Sequence, residues 1–454
     1  MRTSTPATNP LSVSQLWSLS VRQNLPVESD TIQQLPQLWP SIRNRFSITA
    51  SLMPRPIIAL TAGDVAGIGP EILLHAVNSP TVRSACLPLV ICHPEILLRA
   101  ATVFTPNRIP KIDLLDAVPA SAEELRQRFE GFESSETPRF VCLNPAGDAA
   151  ATVQARVISA AAGDAAFQYL SAAITLAQSG VVDAIATAPL NKAALHAAGH
   201  HFPGHTEILA EQCGVAEFGM MLYLPESKLA PLRQIMATPP HAHADTSSLL
   251  PNRPEPVSTT TIKNNAGDSA NQTSPAHHAN RPTGLPVIHV TLHTSVKSIP
   301  RLLTTEGIVE KIRLMDEFLG RMGCERKAIG VCALNPHGGE DGLFGDEEAR
   351  IIEPAVRQFR YRNIRVAGPL PVDTLMRRAF LGEFDGVVAM YHDQGHIPVK
   401  LIGFDSAVNI TLGLPIVRTS PTHGTAFDRA WNPATPADAS GMVEAILTAA
   451  MLSE

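Results

Sequence analysis

The chain has 454 residues, 44% of them hydrophobic and 17% charged, with a formal net charge of −6. That is enough apolar material for two or three packed domains, and the acidic balance offers no basic stripe of the kind nucleic-acid binding needs. No run of 18 apolar residues occurs, which argues against a membrane span. The six cysteines form no Cys-x-x-Cys pair and read as buried, reduced thiols of a cytoplasmic protein.

Residues 1–53 are polar and contain several prolines, with no continuous apolar segment of the secretory kind. They read as a disordered extension, and Met53 is a candidate for the original start. Ordered pattern begins at Pro56-Ile57-Ile58-Ala59-Leu60, a run of strand length. The loop from Thr61 to Gly69 follows, and Pro70-Glu71 opens a helix with proline and an acid in the first turn. Further strands are expected at Leu87–Cys92, Arg139–Leu143, Val181–Ala186, Gly219–Leu224, Val287–Leu292, Ala328–Leu334, Ile364–Ala367, Gly386–Met390 and Ala407–Leu412. Helices are expected at Ala160–Gln178, Glu306–Leu319, Asp346–Phe359 and Gly441–Met451. Alternation of this kind makes an α/β protein.

Residues 231–284 break the alternation. They are rich in Pro, Ser, Thr, Asn and His and carry few aliphatic side chains, so they read as a low-complexity insertion at a surface hairpin tip. Closing so long a loop costs little more than closing a short one.

Polar clusters stand at the ends of the apolar runs, where α/β proteins place ligands. His293, His337 and His392 lie in three of them, separated by 44 and 55 residues. Neutral imidazoles suit zinc and related divalent ions, but that spacing makes a site only if the fold gathers the strand ends. Otherwise each is a hydrogen-bonded loop residue. Thr206, in Gly204-His205-Thr206-Glu207, is placed either to cap a helix or to meet an anion at its N-terminus. Lys400 follows the His392 cluster. Asn409 and Arg418 are the odd polar residues of a nearly apolar segment, Val408 to Ser420. A buried arginine needs an anionic partner, either a structural acid or an anionic ligand. The Gly63–Gly69 loop departs from the dinucleotide fingerprint and reads as a tight turn near a cleft, so the residues that bind a cofactor stay unassigned.

Seven segments occur in an order that resembles the 4-hydroxythreonine-4-phosphate dehydrogenase family: Gly63–Glu71, Thr187–Lys192, Gly204–Glu207, Leu334–His337, Gly368–Thr374, Tyr391–Gly395 and Val408–Pro415. The resemblance implies a two-domain fold like that of isocitrate and isopropylmalate dehydrogenases, with a cleft between the domains. Residues 54–190 and 415–454 would form one domain and 191–414 the other. It implies a homodimer with the active site at the subunit interface, NAD or NADP, and one divalent ion (zinc, magnesium or cobalt) held by His293, His337 and His392. By the same resemblance His205, Thr206, Lys400, Asn409 and Arg418 contact substrate, and Lys400, Asp373 and Asp393 are candidates for proton transfer or support. The implied reaction is oxidative decarboxylation of 4-phosphooxy-L-threonine to 3-amino-2-oxopropyl phosphate. Two alternatives stand beside it: the sister activity on phosphorylated D-threonate or D-erythronate, and a phospho-acid binding protein without catalysis.

Overall fold

A computed structural model describes residues 54–131, 138–237, 284–360 and 364–453. The expected extension 1–53 and most of the expected insertion lie outside the described residues. Twelve strands are present: β1 (Ile57–Thr61), β2 (Leu87–Ile91), β3 (Lys111–Leu114), β4 (Arg139–Leu143), β5 (Ala184–Thr187), β6 (Gly219–Pro225), β7 (Gly284–His289), β8 (Ala328–Cys332), β9 (Arg365–Leu370), β10 (Gly386–Ala389), β11 (Val408–Leu412) and β12 (Val417–Pro421). They form one sheet in the order β3-β4-β2-β1-β5-β12-β11-β6-β7-β10-β8-β9. The helices used below are α1 (Gly69–Asn78), α2 (Ala160–Gln178), α3 (Lys192–Ala197), α4 (His205–Cys213), α5 (Glu226–Ala237), α6 (Thr305–Arg321), α7 (Val372–Phe380), α8 (His392–Gly403) and α9 (Ser440–Met451).

The sheet changes character along its width, and the sequence shows why. From β3 to β12, and again from β7 to β9, neighbours pair in parallel. Every residue of β1 and β5 is buried, as continuous aliphatic runs should be when helices cover both faces. Each fully buried Ile or Leu there contributes roughly 1.5–3 kcal/mol of transfer free energy. In the middle, β11 pairs antiparallel with both β12 and β6, and β6 with β7. Here polar and apolar residues alternate. Val408 and Ile410 belong to an aliphatic cluster with Met221, Ile312 and Phe318. Asn409 and Thr411, which alternate with them, and Ser420 and Arg418 on β12 share the other face, because successive strand residues point to opposite sides. Thr419, on the opposite side of β12, donates its hydroxyl to Ala445 O of α9 at 2.8 Å.

The α/β architecture expected from the alternation is present, with four differences of detail. The nearly apolar segment from Val408 to Ser420 is two strands, β11 and β12, turned at Gly413 (φ 88°). The helix expected at Asp346–Phe359 is a wider π turn at Glu348–Ile352 running into a short helix at Glu353–Arg357. The polar edge strand β3 had no hydrophobic signal to announce it, since its four residues are half-buried or exposed. Both ends of the expected insertion, 231–284, fall on described elements. α5 continues through Pro231 to Ala237, and β7 starts at Gly284, so 238–283 are the residues outside the description. Helices α3 and α4 contribute Leu195, Ile208 and Leu209 to the same aliphatic cluster as β1, β2 and β5. All six cysteines are unpaired and five of them are buried, as read from the sequence. Among the described residues no helix is long and apolar enough to cross a membrane.

Candidate functional site

Met220 and Leu222 of β6, Asn409 of β11, and Arg418 and Ser420 of β12 form the floor of a cavity of about 370 Å³. Asn409 stands opposite Leu222 on one side and Ser420 on the other. Arg418 is 2% exposed. Its Nη1 donates to Thr411 Oγ1 at 3.2 Å and its Nη2 to Thr187 Oγ1 at 2.7 Å, while Nε has no partner. Among the described residues no carboxylate pairs with it. Burial lowers its pKa to about 10, against the raising influence of the Glu207 carboxylate. The structural acid left open by the sequence is therefore not found among the described residues, and a buried guanidinium with only hydroxyl partners keeps hydrogen-bonding capacity for an anion. The Asn409 side-chain oxygen is likewise buried without a partner.

One wall is the first turn of α4. The helix is capped by Gly204, not by Thr206, so the capping alternative for Thr206 is not realised. His205 and Thr206 line the cavity with Glu207 and Lys192, at the positive end of the helix dipole. Burial first, and the Arg418 charge second, hold His205 well below its ordinary pKa, with a hydrogen bond to the Ala188 backbone acting the other way. The Gly63–Gly69 loop supports this wall as the expected tight turn. Asp64 N donates to Pro189 O at 2.9 Å. Gly63 has φ +62°, and a Cβ there would lie 2.2 Å from Pro189 O, so only glycine permits the approach. Burial raises the neighbouring Asp64 carboxyl to about 6.

The opposite wall carries histidines. His293 follows β7 and His392 opens α8 after β10, two parallel neighbours. Their rings lie 5.8 Å apart, and both line the cavity. His392 Nδ1 is 2.7 Å from Asp393 Oδ1. A carboxylate accepts, so Nδ1 carries the hydrogen and Nε2 is the bare nitrogen, the form that binds metals. His293 is lowered by burial and then by Lys192 and His392, which keeps it neutral and ligand-competent. Lys400, two turns along α8, donates to Thr422 O at 3.2 Å at the cavity edge.

Two of the expected site residues do not join this group within the chain. His337 sits on a separate loop with its side chain 73% exposed. Glu348 fixes the base of that loop by accepting from Leu334 N and Asn335 N at 2.8 and 2.7 Å. His337, Glu340 and Asp341 all have left-handed φ, at 54°, 47° and 54°, a strained arrangement for residues with a Cβ. His337 Nδ1 is 3.1 Å from Glu340 Oε1, the same carboxylate–imidazole couple as at His392. Asp373 is exposed in the first turn of α7 and does not line the cavity. Among the described residues no three His, Cys, Asp or Glu side chains gather as a metal cage. The two cavity imidazoles, one of them backed by a carboxylate, fit a borderline divalent ion, but a closed set needs a third donor from elsewhere.

The sequence reading passed over Thr187, Lys192, Glu207, Ser420, His396 and His423, all on the cavity wall. Lys192 and Glu207 stand in two of the segments that carried the resemblance. His396 had a local signal, since it is one helical turn beyond His392.

Residues 84–250 and 261–449 match the family model of the pyridoxal phosphate biosynthetic protein PdxA. The chain belongs to this family. The D-threonate 4-phosphate dehydrogenase of Cupriavidus necator is 38% identical over 401 residues, covering 88% of this chain and 97% of that protein. The 4-hydroxythreonine-4-phosphate dehydrogenase of Geobacter metallireducens is 36% identical over 400 residues, covering 88% and 96%. The crystal structure of 4-hydroxythreonine-4-phosphate dehydrogenase from Klebsiella pneumoniae matches with a TM-score of 0.66 at 34% identity, over 88% of this chain and 100% of that one. Its counterpart from Burkholderia phymatum gives 0.63 at 37% identity, over 88% and 99%.

Proposed function

We propose that this PdxA-family chain oxidises and decarboxylates a four-carbon, 4-phosphorylated 3-hydroxy acid with NAD or NADP, with 4-phosphooxy-L-threonine as the first substrate to test. The observation that carries the proposal is Arg418: a buried guanidinium without an acid, facing one cavity together with the His293 and His392 imidazoles. An anionic ester meets the first and the reacting hydroxyl meets the second.

In this reading the phosphate end of the substrate is held by Arg418, Asn409, His205 and Thr206, with the first-turn amides of α4 adding their dipole. The C3 hydroxyl is oriented at His293 and His392, which together with a third imidazole would hold a divalent ion such as zinc, magnesium or cobalt. That ion, when bound, supplies Lewis-acid stabilisation of negative charge on the oxygen. NAD or NADP, when bound, would accept the hydride from C3 as the hydroxyl proton passes to solvent. The β-keto acid then loses its carboxyl as carbon dioxide, and Lys400 supplies the proton that C2 takes up. Asp393 acts by holding the His392 ring.

The third imidazole is His337 of a second copy. Its loop is outward-facing and its ring is already backed by Glu340, so it suits a site on another subunit. Apolar side chains flank both halves of such a junction. On α8 they are Ile397, Leu401 and Phe404, and beside His337 they are Leu343 and Phe344, all at least 50% exposed. A homodimer with shared active sites uses these features, and Asp373 reaches a cavity only in the same way. The division into lobes 54–190 with 415–454 and 191–414 is part of this reading, as is a cytoplasmic location, which suits six unpaired cysteines.

A second reading, phosphorylated D-threonate or D-erythronate as substrate, is favoured by the cavity wall itself. Its charged side chains are Lys192, Lys400 and Arg418 against the single carboxylate of Glu207, a balance that suits an acid lacking an ammonium group. A coupled assay of NAD(P)H and carbon dioxide across these acids, with and without chelator, tests both readings. Turnover of any one of them that chelator leaves untouched would sink the ion-assisted mechanism. No turnover of any, alongside tight binding, would favour a phospho-acid binding protein.

A further inference from the structure

Two histidines outside the metal and phosphate sets form a chain that ends in the cavity. His289, at the end of β7, is 1% exposed. Its Nδ1 lies 3.3 Å from Met220 O, and its Nε2 lies 3.1 Å from His396 Nδ1. A carbonyl oxygen only accepts, so His289 Nδ1 carries the hydrogen. No carboxylate pairs with this ring among the described residues, and an unpaired imidazolium at such burial is strongly disfavoured, so Nε2 is bare. A bare nitrogen only accepts, so His396 Nδ1 carries its own hydrogen, directed also at His392 O, 3.1 Å away. His396 Nε2 is left as a pure acceptor, with no partner among the described residues, on a ring that lines the cavity. The chain makes room for the arrangement at Gly395, where a Cβ would lie 2.4 Å from His289 Nε2.

The His396 ring stacks on His392 at 3.6 Å and 12°. We propose that His396, locked in this tautomer by His289, takes a hydrogen bond from the substituent on C2 of the substrate, and that the enzyme thereby selects acids carrying a donor there. This rests on the reading above, which sets the C3 hydroxyl at His293 and His392; the neighbouring carbon then falls beside the ring stacked on His392. An ammonium and a hydroxyl both satisfy the acceptor, whereas an unsubstituted C2 leaves a buried lone pair facing nothing. Sites built around such a hydrogen bond reject the analogue that lacks it. His289 is a positioning residue, because it touches only His396 and its neighbours.

The test is a cycle of two substrates and three proteins. The substrates are the preferred 2-substituted acid and 3-hydroxy-4-(phosphooxy)butanoate, which lacks the C2 donor. The proteins are wild type, His396→Leu and His396→Gln, each assayed for kcat/KM and, with cofactor and metal withheld, for calorimetric affinity. Wild type should prefer the substituted acid by about tenfold or more, the worth of one hydrogen bond that cannot be replaced. His396→Leu should collapse that preference to near one, and His396→Gln, whose amide offers an acceptor, should restore most of it. Nitrogen-15 spectra should show His396 as the Nδ1–H tautomer in wild type and as a mixture in His289→Phe. An equal loss on both acids, an unchanged preference, or an Nε2–H His396 in wild type would overturn the proposal. If wild type turns over neither acid, the proposed reaction fails, and the ratio of binding affinities still decides the role of His396.

Discussion

His392 and His337 share a local design and differ in where the fold puts them. Each imidazole is backed by a carboxylate close in sequence, Asp393 at 2.7 Å and Glu340 at 3.1 Å. Yet His392 lies in a cavity with His293 and His396, and His337 stands on a strained loop facing outward. The local partner fixes which nitrogen is free to bind. The surroundings fix what it can bind, and the exposed copy of the design faces away from the cavity.

The largest expected effect asks whether the two histidines serve one site. His392→Ala and His337→Ala should each lower kcat by at least roughly a thousandfold, as loss of a ligand to an essential ion does. Mixing the two inactive proteins under subunit exchange should return about a quarter of wild-type activity, because half the dimers are mixed and one site in each is intact. Failure to complement in dimers shown to have exchanged would mean that His337 does not act across the interface.

Next comes the anion receptor. Arg418→Ala should raise KM by roughly 30- to 1000-fold, since truncating a buried charged partner costs about 2–4 kcal/mol. Arg418→Lys should rescue little, because a lysine lacks the planar fork. A KM within threefold of wild type would make Arg418 a structural residue.

The buried pair behind His392 should appear in stability against pH. Burial holds His289 at about 3 and His396 at about 4 in the folded protein, below the ordinary value near 6.5. The unfolded chain therefore binds more protons across that window, and stability present above pH 6.5 is lost as pH falls toward 4. The loss for metal-free protein is on the order of 3 kcal/mol for each ring, roughly a hundredfold in the folding equilibrium apiece. Denaturant titrations should show this slope flattened in His289→Phe and unchanged in His337→Ala. The smallest effect separates each imidazole from its carboxylate. Asp393→Asn and Glu340→Gln should weaken metal affinity by roughly ten- to a hundredfold with the ligands intact, read by competition with a chelating dye. Equal losses at the two positions would show that the exposed couple and the enclosed one do the same work.

Much of this was written locally. The continuous aliphatic run at Ile57–Leu60 announces a buried strand, whereas the second strand in the segment from Val408 to Ser420, β12, appears only in the structure. Asn409 and Arg418 were visible as polar residues that an apolar strand must explain. The sequence also set the Gly63 turn, the free cysteines and the carboxylates beside His337 and His392, all matters of near neighbours. Three things needed the tertiary structure. Strand order in the sheet set His293 beside His392, because their strands β7 and β10 pair although about a hundred residues separate them. That no carboxylate among the described residues pairs with Arg418 depends on where the fold puts each of those carboxylates. And the hydrogen on His396 is assigned by Met220 O through His289, a relay across β6, β7 and α8. Local sequence can set the chemistry of a side chain and its nearest partner, but which groups converge on one point depends on how distant strands pair, and that is decided by packing of the whole sheet.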